Sequence, residues 1–240
     1  MNVLCIGNSF SQDATRYLHQ ISEDEIFVRN LYIGGCSLET HWNNIKNASP
    51  SYEYQKNGRK LKMISINDAL TKRKWDYISI QQVSHFSGLI NSYEPFLGNI
   101  YDFLRENCPK AKIVFHRTWA YDDQSNHFGF AFYENSRPKM FNAIIETTNK
   151  IAEKYGFDII PSGDAVEKAR ELEEFSQNGP LNINRDGFHL SLDYGRYLAG
   201  LVMFAYFTGK NPENVSYAPD DTDIEIIKKL RTIAKEVTLK

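Results

Sequence analysis

Apolar positions along this chain come in two kinds: short unbroken runs, and longer stretches with a helical period. Residues 2–6 form an apolar run closed by Gly7, the pattern of a strand buried on both faces of a parallel sheet. Residues 11–21 follow with helical spacing through Ala14, Tyr17, Leu18 and Ile21. Residues 27–33 predict a second strand, closed by Gly34-Gly35, and residues 38–45 a short helix. Residues 77–81, 112–116 and 157–160 predict three further strands. Helices are predicted over 94–107 (stopped at Pro109), 137–155 (ending near Gly156), 162–175 with Ser162 or Asp164 as N-cap, 191–209 and 221–237. One stretch departs from this alternation. Residues 52–64 place Asn57-Gly58 between two strand-like halves, and Asn-Gly supplies the positive φ of a type I′ turn, so an inserted β-hairpin is expected there.

Strands alternating with helices argue an α/β fold: a central parallel five-stranded sheet with helices on both faces, in three α/β/α layers. A length of 240 residues fits one domain over 1–240. In such sheets ligands bind beyond the carboxyl ends of the strands. Attention therefore falls on Gly7-Asn8-Ser9, Gly34-Gly35, the stretch from Gln81-Gln82 to His85, and Arg117-Thr118-Trp119.

Composition mostly excludes. A net charge of −2 implies neither a nucleic-acid partner nor an anionic membrane. No apolar run approaches membrane-spanning length. No basic n-region precedes the first strand, so the chain as it stands reads as cytoplasmic; a periplasmic or secreted protein trimmed of its export signal reads the same way. Cys5, Cys36 and Cys108 show no CxxC spacing, against a disulfide framework or a structural zinc site. His41, His85, His116 and His127 are not at metal-ligand spacing, so no metal and no cofactor are expected.

Two short blocks carry chemistry. Ser9 follows the first strand and precedes a helix, which sets its hydroxyl at the ligand-binding edge of the sheet. Its surroundings are not the GxSxG elbow of common α/β-hydrolases. Near the other end stands Asp186-Gly187-Phe188-His189. A carboxylate three residues before a histidine can orient the imidazole and stabilise its charged form. A serine nucleophile with a His–Asp base is the reading that joins the blocks.

The pair of blocks resembles the SGNH/GDSL hydrolase superfamily. Gly7, Asn8 and Ser9 match its Gly-Asp-Ser or Gly-Asn-Ser block, and Asp186 and His189 match its late Asp-x-x-His block. The resemblance implies the flavodoxin-like SGNH fold, Ser9, Asp186 and His189 as catalytic residues, and an oxyanion hole from the N–H groups of Ser9 and Gly35. The third block departs from the family. Where Gly-x-Asn-Asp usually stands, this chain has Gln81-Gln82-Val83-Ser84-His85, and no Asn is present. Gln82 and His85 are the two candidates for the missing side-chain donor. Trp42, Trp119 and Tyr121 are candidates for lining the substrate pocket, as is His116, and the long 120–137 loop for a lid. The implied reaction is acyl transfer through an acyl-enzyme, with O-deacetylation of a carbohydrate or other small acylated substrate as the leading expectation. The alternatives are a thioesterase or lysophospholipase-like deacylase and, from another class, a non-catalytic carbohydrate-binding protein on a hydrolase scaffold.

Overall fold

The computed structural model describes residues 1–239. Its strands are β1 (Asn2–Gly7), β2 (Phe27–Tyr32), β3 (Tyr52–Lys56), β4 (Arg59–Ile64), β5 (Tyr77–Ile80), β6 (Lys112–His116) and β7 (Asp158–Ile160). Its helices are α1 (Ser9–Thr15), α2 (Leu18–Ile21), α3 (Leu38–Lys46), α4 (Ile66–Thr71), α5 (Phe96–Asn107), α6 (Arg137–Tyr155), α7 (Ser162–Ala169), α8 (Tyr194–Thr208) and α9 (Ile224–Thr238). The sheet runs in the order β4-β3-β2-β1-β5-β6-β7. The five strands from β2 to β7 in that order are parallel, as expected.

The unbroken apolar run of β1 is explained by its central place. Val3 and Cys5 enter one core cluster, with α1, α7, α8 and α9; Leu4 and Ile6 enter the other, with α3, α4 and α5. Strand geometry sends alternate side chains to opposite faces, so both faces must be apolar when both are covered. Cys5 packs as a small hydrophobe, and burial pushes its thiol up to about 12.

The hairpin does not stand apart. β3 pairs antiparallel with β2, so β3 and β4 widen the sheet to seven strands among the described residues. Its turn has the expected chemistry, with φ of 52° at Asn57 and 73° at Gly58.

Several helices differ from the expected spans: α4 was not expected, α5 and α9 start two and three residues late, and three further cases have a visible cause. The helix predicted over 11–21 starts at Ser9, capped by the Asn8 side chain, and breaks after Thr15. Thr15 Oγ1 donates back to the Ser11 carbonyl at 2.8 Å, a local bond of the kind that bends helices. The helix predicted over 162–175 stops at Ala169, because Arg170 turns inward to the Ala120 carbonyl and Asn184. Neither Ser162 nor Asp164 caps it: Ser162 bonds His116, and Asp164 pairs with Arg117. The helix predicted from 191 starts at Tyr194, after Asp193 accepts from the Tyr194 N–H. Among the described residues no helix is long and apolar enough to cross a membrane.

Candidate active site

At the carboxyl end of β1 the chain turns within two residues into α1. A Cβ at Gly7 would lie 2.5 Å from Ser11 Oγ and 3.1 Å from Gln81 Cδ, so only glycine fits this turn without displacement. Asn8 Oδ1 accepts from the Phe10 N–H at 3.0 Å, which makes Asn8 the N-cap and Ser9 the first helical residue.

That one bond sets the direction of a buried polar chain. Because Asn8 Oδ1 faces a donor, Asn8 Nδ2 donates to the Cys36 carbonyl at 3.2 Å. Gln81 Nε2 donates to Asn8 Oδ1 at 3.0 Å, so Gln81 Oε1 must accept from His116 Nδ1 at 2.9 Å. His116 Nε2 is then the acceptor for Ser162 Oγ, also at 2.9 Å. Burial pushes the His116 imidazole down to about 3, in keeping with this neutral tautomer. The chain ties together the ends of β1, β5 and β6, the start of α7 and the turn after β2. His116 thus lies beneath the site rather than lining it.

Ser9 Oγ is 2.9 Å from His189 Nε2, and His189 Nδ1 is 2.7 Å from Asp186 Oδ2. Facing a carboxylate, Nδ1 carries the proton, and Nε2 is left to accept from the serine hydroxyl. Asp186 Oδ1 also accepts the backbone N–H groups of Phe188 (3.2 Å) and His189 (2.7 Å). Partial burial acts to raise the Asp186 carboxyl, but its hydrogen bonds from His189 and Phe188 outweigh burial and hold it below the usual carboxylate range.

The loop carrying His189 is held from several sides. The Asp122 N–H donates to the Gly187 carbonyl at 2.7 Å, and Trp119 Nε1 to the Phe188 carbonyl at 2.7 Å. Gly187 takes a φ of 83°, and a Cβ there would lie 2.9 Å from Ser125 Cα. The residue after the histidine reaches back to α1: the Leu190 N–H donates to Asp13 Oδ2 at 3.0 Å. Asp13 is wholly buried and also accepts from Arg196 Nε at 2.8 Å and Arg185 Nη1 at 3.0 Å. It stands one helical turn after Ser9, on the same face. Asp13 was not among the expected site residues. Its one signal was a carboxylate four residues after the serine, one helical turn on and beside the apolar position Ala14.

The serine opens on a cleft of about 450 Å³. Its walls come from Asn8, Ser9 and Phe10, from Tyr32, Gly34 and Gly35 after β2, and from Val83, Ser84 and His85 after β5. The loops add His127, Phe128, Phe188 and His189. Gly35 has a φ of 62° in the turn closed by the Cys36 N–H on the Ile33 carbonyl. The backbone N–H groups of Ser9 and Gly35 meet no acceptor among the described residues.

Several expected site residues lie elsewhere. Gln82 is fully engaged: its Oε1 accepts from the Leu38 and Val83 N–H groups, and its Nε2 donates to the Ser92 carbonyl and hydroxyl. With no free donor, it holds the start of α3 and cannot complete an oxyanion hole. Strand alternation sends Gln81 toward Asn8 instead. His85 does reach the cleft wall. Trp119 and Tyr121 are completely buried behind the wall. Trp119 stacks on Phe10 with ring centroids 4.3 Å apart, and the Tyr121 hydroxyl meets Ser84 Oγ at 2.7 Å. Trp42 packs beside Lys46 on α3, outside the cleft. Besides Phe10, the phenyl and phenol rings that do line it, Tyr32, Phe128 and Phe188, were not expected there from the sequence. Among the described residues no group of three or more His, Cys, Asp or Glu is arranged to hold a metal. The 500 Å³ hollow beside α7 and α9 is lined by Lys and Glu side chains and brings no nucleophile.

The profile of the family described as Domain of unknown function (DUF4886) matches residues 2–237, and the chain belongs to that family. A DUF4886 family protein from Bacteroides uniformis is 39% identical, with a TM-score of 0.91 over 99% of this chain and 94% of the other. A candidate SGNH hydrolase from Slackia heliotrinireducens is 21% identical, with a TM-score of 0.59 over 85% of this chain and 97% of that one. The acetyl xylan esterase AlAXEase is 14% identical, with a TM-score of 0.54 over 85% and 98%. At these identities the last two show a shared fold: the α/β architecture of SGNH hydrolase-like proteins. No curated protein matches the chain.

Proposed function

We propose that this DUF4886 protein is a serine hydrolase acting on carboxylic esters through an acyl-enzyme. The observation that carries the reading is the unbroken relay from Ser9 Oγ to His189 to Asp186 at the carboxyl edge of a parallel sheet, open to a cleft. In the proposed cycle His189 Nε2 takes the Ser9 proton as the alkoxide attacks the ester carbonyl. Asp186 stays ionised and stabilises the imidazolium. The oxyanion is met by the free N–H groups of Ser9 and Gly35. His189 then protonates the leaving alcohol, and water repeats the sequence to release the acid. For the third donor His85 remains as a side chain. The N–H groups of Ser84 and His85, which head an uncapped 3₁₀ turn over Ser84–Phe86, offer backbone donors at the same place.

Within this reading the substrate is a small acylated molecule, with O-deacetylation of a carbohydrate as the leading case. The shared fold with an enzyme named for acetyl xylan supports it. The test is a panel of p-nitrophenyl esters and acetylated sugars, run with fluorophosphonate labelling on wild type and Ser9→Ala. Wild type should turn over an acetyl ester and take the label, and Ser9→Ala should do neither while folding normally. Wild-type turnover in Ser9→Ala would overturn the assignment.

A further inference from the structure

We propose that the cleft accepts an uncharged substrate, and that Phe128 and Phe132 form an aromatic shelf at its mouth that stacks on a ring in the alcohol half of the ester, such as the pyranose of an acylated neutral sugar. This rests on the esterase reading and adds what that reading leaves open, the chemistry of the alcohol.

The shelf is built rather than incidental. Phe128 is 70% exposed and Phe132 49%, whereas Phe130 and Tyr133 of the same 3₁₀ segment are buried. The buried pair anchors the segment. The Tyr133 hydroxyl donates to the His85 carbonyl at 3.1 Å and accepts from the Gly88 N–H at 3.0 Å. At Gly129 a Cβ would fall 2.2 Å from the His85 Cβ, so the segment lies directly against the third-block residues. A fixed ring loses little freedom on binding, and neighbouring exposed apolar side chains on a soluble protein commonly mark a contact site.

Ring contacts run without a gap from the base to the shelf. Phe188 lies 4.2 Å from the His189 ring and 4.9 Å from His127; His127 lies 4.7 Å from Phe128, and Phe128 lies 6.4 Å from Phe132 (centroid distances). This placement selects the alcohol half. His189 Nε2 must reach the leaving oxygen to protonate it, so the alcohol departs along the flank occupied by Phe188, His127 and Phe128.

Neutrality follows from the lining. Among the described residues no Lys, Arg, Asp or Glu side chain lines the cleft. Its two further imidazoles are both pushed down, His85 by burial and then by His127, and His127 by burial and then by His189, so neither offers a cation at neutral pH. An anionic group on the alcohol half would lose water and gain no cationic side chain as partner. Charged side chains close to the segment in sequence are paired, Asp123 with Arg137 and Glu134 with Lys139.

The experiment compares kcat/KM on a mono-O-acetylated methyl glucoside, its glucuronide counterpart and ethyl acetate, whose alcohol is too small to reach the shelf. Wild type should prefer the glucoside to the glucuronide by about ten-fold or more. Phe128→Ala should lower the ratio of glucoside to ethyl acetate kcat/KM by roughly two- to twelve-fold through KM, the size of one aromatic contact. Phe128→Tyr should restore it. In the Ser9→Ala background, saturation-transfer NMR should show glucoside binding that Phe128→Ala weakens, a readout independent of turnover. An unchanged ratio in Phe128→Ala, equal use of glucoside and glucuronide, or binding indifferent to Phe128 would overturn the proposal. Failure of the esterase reading would show separately, as no fluorophosphonate label and no turnover of any ester.

Discussion

Ser9 and His189 meet across 2.9 Å but are held there by different means. Ser9 sits on backbone that a central strand and a capped helix already fix, over the buried Asn8–Gln81–His116 chain. His189 sits on an irregular loop, half-buried, with its carboxylate partner exposed. The loop owes its place to ties from distant parts of the chain: Asp13, Trp119 and Asp122. The nucleophile's corner should resist perturbation as a unit with the core, while the base's loop should loosen bond by bond. Regular structure satisfies its own backbone groups, but a loop must find partners one at a time.

The largest expected effect comes from removing the base itself. His189→Ala should lower kcat on an activated ester by roughly 10⁴-fold or more, and Asp186→Asn by a comparable order through loss of the imidazole's orientation. Circular dichroism should remain native, since both side chains reach solvent. Activity within ten-fold of wild type in His189→Ala would remove the base from the scheme.

Asp13→Asn tests the tie between the regions. It leaves the partly exposed Arg185 and Arg196 without their buried carboxylate, a loss that should stay below the ~3–5 kcal/mol of a fully buried pair because both guanidinium groups keep contact with water. Beyond that, amides 186–190 should exchange faster with solvent and kcat should fall by roughly ten-fold or more, while exchange in β1 stays at the global rate. A stability loss with no change in kcat or in loop exchange would make Asp13 a core residue only.

Acid should act on the buried side. Burial pushes both His41 and His116 down to about 3, against an unfolded value near 6.5. The folded state therefore binds fewer protons than the unfolded state between these values. Stability from the two neutral imidazoles is complete above pH 6.5 and is lost as pH falls toward 3, by up to about 1.4 kcal/mol per pH unit for each. Urea melts across pH 4–7 read this slope, and His116→Gln should remove one proton's share. A slope the same in wild type and variant would exclude His116 as its source.

The smallest effect is expected at the hairpin turn, which lies outside the cleft lining and meets the side chains of Gln12 and Arg16. Gly58→Ala forces a side chain into a φ of 73° at the hairpin turn and should cost about 1 kcal/mol without altering kcat/KM. A change in catalysis there would mean that the hairpin edge communicates with the cleft.

The parallel strands, the Asn57-Gly58 turn and the folding of Asp186 onto His189 were legible in the sequence because each rests on local pattern; the meeting of Ser9 with His189, 180 positions on, was expected from the resemblance of the two end blocks to a known family. A strand covered on both faces must be apolar throughout, a type I′ turn needs positive φ, and a carboxylate three residues before a histidine can fold back onto it. The sequence by itself therefore determined the architecture and the residues that converge. Tertiary structure alone decided what surrounds them. It joined the hairpin to β2, consumed both ends of the Gln82 amide, and buried Trp119 and Tyr121 behind the wall that Phe128 and Phe188 line. It also brought Asp13 to Leu190, 177 positions away. Those outcomes depend on which polar and aromatic groups find partners across the fold, and no local period along the chain encodes such distant pairings.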